Sequence, residues 1–465
     1  MTIVVDGDYA IEHGQTLHGV GIMFRLEQSD ESRPTTFDNA GKIFYAGGGS
    51  MVVQTDPAGT YKSFVFSNEA KGVFEAMGGS SLIGFSLQFK EIEFSNAGRF
   101  HLSSGGIGIG VLAQGTMEFH NTGTFAVEAP NAVGVGSDFG HLSNEGELTV
   151  SGSSVAIGLR LNDHGSVLNA GDLTVTATGD AVGVYLDSGE QDFRNSGRIG
   201  VHSEQAGKAV GVEFHAFTTL TSFSNTGSIV SNGFALLKPD DGRGGIGLDI
   251  ANDGTIEGTV SLGRGDDHFV NRGEMTGDVL LGVGDDSFLA AQGQFTGQVF
   301  GGAGDDLVIG GKQGDFLFGD DAAAGKDDGS DQLDGGKGDD VLDGGAGNDG
   351  LTGGRGADVL IGGGGDDAFI YRSVNQSLVG REDVISDLSQ GDTINLSLVD
   401  ADTTARGHQH FVQVGSLDGH AGEAALVYDA GTDVTRLQLD VDGDGQADAV
   451  IMIDGDHHEF DGLVL

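Results

Sequence analysis

The sequence contains no cysteine and no tryptophan, and it has only 4 prolines in 465 residues. The lack of cysteine excludes a disulfide framework and zinc sites built on paired cysteines. It is compatible with export as an unfolded chain, which must not form wrong disulfides. Basic residues are also scarce: 23 Lys and Arg stand against 70 Asp and Glu, for a formal net charge of −47. A field of that sign argues against nucleic acid and anionic membrane surfaces as partners.

Catalytic and targeting signatures are missing as well. The sequence has no HExxH zinc motif, no GxSxG nucleophile elbow and no Walker loop, and its 14 histidines are scattered. No hydrophobic run approaches the roughly 20 residues of a transmembrane helix. The N-terminus lacks the basic and apolar regions of a secretory signal peptide. We therefore expect a protein that is not an enzyme, has no transmembrane segment and carries any export signal elsewhere.

Glycine, in contrast, is abundant, and part of the 85 glycines follow a nine-residue repeat. The pattern Gly-Gly-x-Gly-x-Asp-x-apolar-x runs in phase through 335–343, 344–352, 353–361 and 362–370. Glycine allows the positive φ angles of tight turns, and it leaves backbone carbonyls uncovered. Two repeats make one coil of a β-solenoid, so Asp residues two repeats apart stack on the same side.

These stacked carboxylates predict several bound calcium ions. Neighbouring strands lie about 4.8 Å apart, and two carboxylates at that distance repel by about 3.5 kcal/mol at an effective dielectric constant near 20. A cation between them removes this repulsion, and flexible all-oxygen ligation favours Ca²⁺ over Mg²⁺. The predicted metal-binding residues are Asp306, Asp315, Asp331, Asp340, Asp349, Asp358, Asp367, Gly336, Gly338, Gly345, Gly347, Gly354, Gly356, Gly363 and Gly365, with Asp267 and Asp286 in two weaker copies.

The repeat becomes irregular towards the N-terminus. Residues 301–309 fit the pattern, and 310–318 fit it with Gln313 in place of a glycine. Seven extra residues within 319–331 predict a loop that bulges from one turn. Between 262 and 306 the Asp spacing lengthens to one calcium-type loop per coil, which indicates a hybrid zone.

A second repeat occupies the first half of the chain. The motif apolar-x-Asn-x-Gly recurs at intervals of about 25 residues with apolar strand signals between its copies, as expected for a solenoid. Stacked Asn side chains can hydrogen-bond from coil to coil, so we expect a purely structural ladder. The Asn positions are Asn39, Asn96, Asn121, Asn144, Asn195, Asn225 and Asn252, with looser copies at Asn68, Asn169 and Asn271.

The nonapeptides resemble the RTX (repeats-in-toxin) family of secreted bacterial proteins. The segments DVISDLSQGDTINLS at 383–397 and QLDVDGDGQAD at 438–448, with the C-terminal HHEFDGLVL, resemble the C-terminal domain of serralysin-type metalloproteases. The resemblance implies a parallel β-roll that folds on calcium outside the cell. It also implies a C-terminal domain that closes the roll and carries an uncleaved type I secretion signal. Gly462 separates Asp461 from the terminal apolar residues, a small departure from that pattern.

Together these patterns predict an all-β fold with three segments. Residues 1–260 are expected to form a right-handed parallel β-helix or solenoid with the Asn and Gly turns. Residues 261–371 are expected to form the hybrid coils and the RTX calcium β-roll. Residues 372–465 are expected to form a small β-rich domain for capping and type I secretion.

The C-terminal segment holds two further candidates for calcium binding. Asp440, Asp442, Asp444 and Asp448 occupy ligand positions of an EF-hand-like loop, but Ile451 stands where the bidentate Glu belongs. An acidic hairpin turn explains the same residues without an ion. Asp387 and Asp392 are candidates for capping the roll.

We expect an extracellular protein that binds calcium, uses the type I secretion apparatus and acts as an adhesin, matrix or surface component. A cell-surface or matrix polysaccharide is a possible partner. The alternative is a β-helix polysaccharide lyase or epimerase joined to an RTX module, which needs acid, base and carboxylate-neutralising side chains in a groove. Tyr185, Arg160 and Arg194 could meet across coils, although no spacing requires it.

Overall fold

The computed structural model describes residues 3–6, 9–19, 24–27, 35–47, 51–55, 63–240, 242, 245–321 and 329–465. The chain divides into two compact units, Met1–Leu262 and Gly263–Leu465. The predicted bulge within 319–331 lies outside the described residues at 322–328.

The first unit is built from short strands. In its described residues the strands are Ile3–Asp6, Tyr9–Ile11, Thr16–Gly19, Phe24–Glu27, Thr35–Asn39, Lys42–Gly47, Met51–Thr55, Ser63–Asn68, Val73–Gly78, Ser81–Leu87, Glu91–Asn96, Arg99–Ser104, Ile107–Asn121, Thr124–Glu128, Asn131–Asn144, Glu147–Gly152, Val155–Leu161, Gly165–Asn169, Asp172–Ala177, Asp180–Asn195, Arg198–Ser203, Ala209–Asn225, Ser228–Leu237, Asp249–Asn252 and Thr255–Ser261.

Successive coils of the first unit pair in parallel and in register. Glu91–Asn96 pairs with Ser63–Asn68, and Arg99–Ser104 pairs with Val73–Gly78 in the same two coils. Side chains alternate between the interior and the surface, because successive residues of a strand point to opposite faces. The period-2 pattern of apolar residues therefore fills the interior of the coils.

Phenylalanine rings stack through the interior of the first unit. Phe37, Phe66, Phe94 and Phe119 follow one another coil by coil, with ring centroids 5.6, 4.6 and 5.7 Å apart. A second stack joins Phe74, Phe100 and Phe125 at 4.7 and 4.2 Å. Burial of these rings stabilises the unit, since aromatic side chains bury large apolar areas.

The asparagines form a continuous hydrogen-bonded ladder beside these rings, as predicted. Each Asn Nδ2 donates to the Oδ1 of the Asn in the next coil at 2.6–2.8 Å. The ladder runs through Asn39, Asn68, Asn96, Asn121, Asn144, Asn169, Asn195, Asn225 and Asn252. Stacked buried amides satisfy one another in this way, so the ladder is structural.

The second unit also consists of short strands, and Val374–Gln376 forms a 3₁₀ turn. Its strands in the described residues are His268–Asn271, Glu274–Thr276, Val279–Val283, Ser287–Leu289, Gln294–Thr296, Gln298–Ala303, Leu307–Ile309, Phe316–Phe318, Gln332–Lys337, Val341–Ala346, Gly350–Arg355, Val359–Gly364, Ala368–Ile370, Asp383–Ile385, Thr393–Asn395, Val412–Val414, Glu423–Asp429, Val434–Asp440, Ala449–Asp454 and Leu463–Val464.

Pairing in the second unit is parallel through the nonapeptides and changes near the C-terminus. Val341–Ala346 pairs in parallel with Val359–Gly364, two repeats further along. Val434–Asp440 pairs antiparallel with both Glu423–Asp429 and Ala449–Asp454. The predicted all-β class with a parallel solenoid and β-roll is confirmed. Among the described residues, we find no helix with the length and apolar character needed to cross a membrane.

Candidate metal centre in the nonapeptide roll

The nonapeptide aspartates form two ladders in the second unit. In each rung, the backbone N–H of one Asp donates to the Oδ1 of the Asp in the following coil at 2.6–3.0 Å. We call them the long ladder, formed by Asp267, Asp286, Asp306, Asp331, Asp349, Asp367 and Asp392, and the short ladder, formed by Asp315, Asp340, Asp358 and Asp383. All predicted metal-binding aspartates belong to one of the two, on alternate turns of the roll.

The second oxygen of these carboxylates is buried without a hydrogen-bond partner along much of both ladders. This holds for the Oδ2 atoms of Asp306, Asp331, Asp340, Asp349, Asp358 and Asp383. All six side chains are at most 2% exposed. Burying a polar atom without a partner is costly, so the arrangement requires a proton or a cation at each Oδ2.

The first glycine of each repeat makes room for these oxygens. A Cβ atom on Gly335 would lie 2.3 Å from Asp340 Oδ2 and 2.5 Å from the carbonyl oxygen of Gly353 in the next coil. On the other ladder, a Cβ atom on Gly344 would lie 2.4 Å from Asp349 Oδ2. A carboxylate oxygen without a hydrogen-bond partner and a backbone carbonyl oxygen therefore lie close together beside a glycine.

Most of the predicted site glycines adopt the backbone that the turn requires. Positive φ angles between 92° and 146° occur at Gly336, Gly338, Gly345, Gly347, Gly354, Gly363 and Gly365. Gly356 is different, because no positive φ is found there. A Cβ atom on Gly356 would lie 1.6 Å from the carbonyl oxygen of Gly338, so close approach of the coils explains this glycine.

The interior of the ladders disfavours negative charge when no cation is present. The pKa of Asp306 is raised from its usual 3.8 to about 8, mainly by burial and in smaller part by the neighbouring carboxylates of Asp286 and Asp331. Burial likewise raises the pKa of Asp340 to about 7 and that of Asp358 to about 6. Since each group also accepts a backbone hydrogen bond, which lowers its pKa, desolvation is the stronger effect.

A second set of hydrogen bonds involves the side chains of residues that directly precede a ladder Asp. These hydrogen bonds point in the opposite direction along the roll. The N–H of Asp305 donates to Oδ1 of Asp285 in the coil before it, at 3.0 Å. The same contact joins the N–H of Ala357 to Asp339 Oδ1 at 3.0 Å. These side chains are exposed, and they fix the turn from its solvent side while the buried aspartates fix it from within.

Residues beyond the last nonapeptide complete the ladders. Asp383 Oδ1 accepts from the N–H of Asp358, and Asp392 Oδ1 accepts from the N–H of Asp367, each at 3.0 Å. Asp387 accepts from the N–H groups of Gly362 and Gly363. Sequence reasoning named Asp387 and Asp392 as candidates but missed Asp383. The signal was its 25-residue distance from Asp358, which repeats the 25-residue rung from Asp315 to Asp340.

The donor set fits calcium. The site offers carboxylate oxygens and turn carbonyls only, which are the ligands of a hard cation, and its flexible glycine turns suit an ion with many ligands. The buried Oδ2 atoms and the glycine positions that two oxygens fill are the structural basis of this fit.

The acidic hairpin near the C-terminus has its own oxygen cluster. One carboxylate oxygen from each of Asp440, Asp442 and Asp444 lies within 4.8 Å of the others. Both oxygens of Asp440 already accept hydrogen bonds from the loop, from the N–H groups of Gly443 at 2.7 Å and Gly445 at 2.9 Å. These contacts explain the loop as a turn between antiparallel strands, and calcium binding there stays a prediction.

In the first unit, two of the three residues considered for catalysis do meet. The guanidinium carbon of Arg160 lies 5.1 Å from the centre of the Tyr185 ring. Arg160 also pairs with Asp187 at 3.9 Å and donates to Asn162 at 2.7 Å. Because these partners already hold the guanidinium, it is poorly placed to neutralise a substrate carboxylate. Arg194 pairs instead with Asp192 at 3.1 Å.

Comparison with known proteins identifies a family match within the second unit. Residues 282–465 match the family model described as Peptidase M10 serralysin C terminal, which covers less than half of the chain. The metalloprotease AprA of Pseudomonas entomophila (strain L48) is 34% identical over 84 residues, 18% of this chain and 17% of that protease. The chain thus spans only a small part of the protease it matches.

A solved structure, the solution structure of the AlgE6R3 subunit from the Azotobacter vinelandii mannuronan C5-epimerase, is also similar. It is 26% identical and covers 35% of this chain and 80% of that subunit, with a TM-score of 0.19. At that score the likeness carries no argument about this structure.

Proposed function

We propose that this is an extracellular calcium-binding β-solenoid protein whose nonapeptide roll folds when calcium binds between its coils. The observation that carries the proposal is the pair of Asp ladders with buried, uncapped Oδ2 atoms. The match of residues 282–465 to the serralysin C-terminal family, whose RTX-type repeats bind calcium, supports the same conclusion.

The chain's own residues prepare each site in a simple way. The Oδ1 atoms hold the coils together through backbone hydrogen bonds, and this contact points the Oδ2 atoms toward the glycine turns. The glycines leave carbonyl oxygens free of side-chain cover. Bound calcium supplies the positive charge that these buried oxygens lack. Without it, repulsion and desolvation oppose the folded roll.

Calcium titration followed by circular dichroism and calorimetry tests the proposal. We expect a cooperative gain of β-structure and a heat of binding as calcium approaches the millimolar range, roughly that of weak extracellular sites. Magnesium at the same concentration is the control and should have little effect, because it demands a smaller octahedral site. A roll that remains folded in EDTA and takes up no calcium would contradict the proposal.

For the first unit we propose a structural or interaction role, as an adhesin, matrix or surface component. Its interior is filled by Phe stacks and by Asn side chains that satisfy one another, which supports a scaffold. The polysaccharide lyase or epimerase alternative is tested by incubation with uronic-acid polymers. We expect no unsaturated product and no change of epimer content; either change would establish the enzyme.

We further propose that the C-terminal segment directs type I secretion. The family match through residue 465 supports this assignment. In cells that carry a type I exporter, removal of residues 461–465 should leave the protein in the cytoplasm. Export of the shortened chain at the normal level would contradict the assignment.

A further inference from the structure

The short-ladder side of the roll carries a row of basic side chains. Lys312, Lys337 and Arg355 occupy the third position of three repeats that stack on one another. Lys337 and Arg355 are register partners in adjacent strands. The N–H of Lys337 donates to the carbonyl of Gly311 at 3.3 Å, which places Lys312 one coil earlier. On the other side of the roll the same position holds Ala346 beside Gly364.

Two members of this row are not neutralised. Among the residues that the structure describes, no carboxylate lies within ion-pair distance of the Lys337 or Arg355 side chain, and both are exposed. Nearby arginines behave differently: Arg372 pairs with Asp334 at 2.7 Å, and Arg381 with Asp339 at 3.1 Å. In a chain with a net charge of −47, adjacent cations without acidic partners leave a local place for an outside anion.

The row leads into an open cavity of about 260 Å³. Arg355, Gly356, Asn375, Leu378 and Arg381 line it. Because Asp339 holds Arg381, the cavity combines one unpaired guanidinium, that of Arg355, with the Asn375 amide and the apolar side chain of Leu378, which is 40% exposed. Guanidinium groups bind carboxylates with two hydrogen bonds, while the amide and the Leu side chain suit hydroxyl groups and the apolar face of a sugar ring.

We propose that this row, Lys312, Lys337 and Arg355, together with Asn375 and Leu378 of the cavity, binds a linear anionic polysaccharide that carries carboxylate groups. The cations repeat at the spacing of neighbouring strands, about 4.8 Å, and a uronic-acid chain presents one carboxylate for each sugar. An extended polymer can thus lie along the roll, so that the carboxylates on its roll-facing side reach the long Lys and Arg side chains of the row. The surrounding negative field is screened beyond about 8 Å at physiological ionic strength.

The same row suits nucleic acid less well. Proteins that bind single strands combine basic grooves with aromatic rings on which bases stack. The seven residues of the row and the cavity lining include no aromatic ring. They offer short-range contacts for carboxylates and hydroxyl groups instead, and RNA binding becomes an outcome of the test.

The test is isothermal titration of the full chain with a soluble oligogalacturonate in saturating calcium. K337Q/R355Q removes two charges from the row, and R99Q/R406Q removes two exposed charges elsewhere as the matched control. We expect the first variant to weaken binding about tenfold and the control to change it less than about twofold. Neutral malto-oligosaccharides should not bind, and added salt should weaken oligogalacturonate binding.

Three outcomes would overturn the proposal: no binding of oligogalacturonate, equal weakening in both variants, or tighter binding of poly(U) RNA through the same two residues. The inference rests on the calcium-folded roll, so circular dichroism with calcium is recorded on each sample. A lost calcium response in the unaltered chain contradicts the proposed function. A normal response with unchanged oligogalacturonate binding in K337Q/R355Q contradicts this inference alone.

Discussion

The first glycine of each nonapeptide is needed for space. A Cβ atom on Gly353 would lie 2.5 Å from Asp358 Oδ2, although no positive φ is found at Gly353. Gly364, in the third position of the next repeat, has no other atom within 4 Å of the place where its Cβ would be. Substitution of each glycine in turn therefore distinguishes a steric clash beside Asp358 from the general effect of replacing a glycine.

Gly353→Ala should destabilise the calcium-loaded roll by about 1–3 kcal/mol, because the added methyl group overlaps a carboxylate oxygen. The measurement is thermal unfolding with calcium present. Gly364→Ala is the control and should change stability by less than about 0.5 kcal/mol. Equal effects of both changes would show that the space beside Asp358 is not needed.

Asp340→Asn should weaken calcium binding by about tenfold or more, because a neutral amide replaces the buried, negatively charged carboxylate that would bind the ion. Asp339→Asn, one residue earlier and exposed, keeps the oxygen that accepts the N–H of Ala357. Calorimetry should give nearly normal calcium binding for that control. A normal calcium titration of Asp340→Asn would remove Asp340 from the site.

Acid should partly replace calcium. The folded calcium-free roll holds Asp306 and Asp383 with pKa values raised by burial to about 8, and Asp315 to about 6, from the usual 3.8. A raised folded-state pKa gives stability that is complete below about pH 4 and is lost as the pH rises to about 8. In EDTA, β-structure measured by circular dichroism should therefore increase from about pH 8 to about pH 5.

Calcium binding should show the opposite dependence. Protons compete with the ion for the same carboxylates, so the apparent dissociation constant of calcium for the folded roll, measured by calorimetry, should rise as the pH falls through the same range. A roll that loses β-structure on acidification in EDTA would contradict the assigned burial of the ladders.

At the scale of single residues, much of the candidate site was predictable. The nine-residue phase located every nonapeptide Asp of the ladders, because a fixed spacing in a solenoid fixes the stacking. It missed Asp383, since the intervening residues 371–382 break the repeat while the coil still closes. It did not indicate that Gly356 is required by close packing of the coils and not by a positive φ angle.

At the scale of structural elements, the Asn ladder and the Asp ladders differ in charge. Asn121 Nδ2 donates to Asn144 Oδ1 at 2.8 Å, and Asn121 Oδ1 accepts from Asn96 at 2.7 Å. Each amide supplies both a donor and an acceptor, so neutral side chains satisfy one another along the stack. Carboxylates offer acceptors only, so the buried oxygens of the second unit need a proton or a cation, whereas the amides of the first unit do not.

Asn121→Ala should destabilise the first unit by about 3 kcal/mol, because it leaves a buried donor on Asn96 and a buried acceptor on Asn144. Asn131→Ala, at an exposed position, is the control and should have an effect within about 0.5 kcal/mol. Urea unfolding in EDTA measures both. A small effect of Asn121→Ala would mean that the ladder adds little to stability.

The strands themselves were predictable from alternating apolar residues and Asn-Gly turns. The exact bounds of the strands in each coil were not, because they depend on pairing with the neighbouring coils. The limits of the three segments, including the boundary between 371 and 372, stay predictions. The parallel-to-antiparallel change near Glu423–Asp429 likewise depends on contacts between distant residues.

At the scale of the whole molecule, the two units should respond differently to calcium. The first unit holds its coils with amides and phenylalanine rings, whereas the second holds uncapped carboxylates. In EDTA, limited proteolysis should degrade the second unit and leave a fragment that ends near residue 262. With calcium present, both units should resist cleavage. Loss of both units together in EDTA would contradict this difference.

Successive nonapeptides contribute alternately to the two Asp ladders, and this alternation limits how many nonapeptides the roll can gain or lose. Rungs span 18 to 25 residues, so the loop within a coil can vary while the ladder continues. Gain or loss of two nonapeptides adds or removes one complete coil and leaves both ladders on their own sides. Gain or loss of a single nonapeptide exchanges the sides of every later Asp and of the basic row. We therefore expect the regular part of such a roll to change length by whole coils.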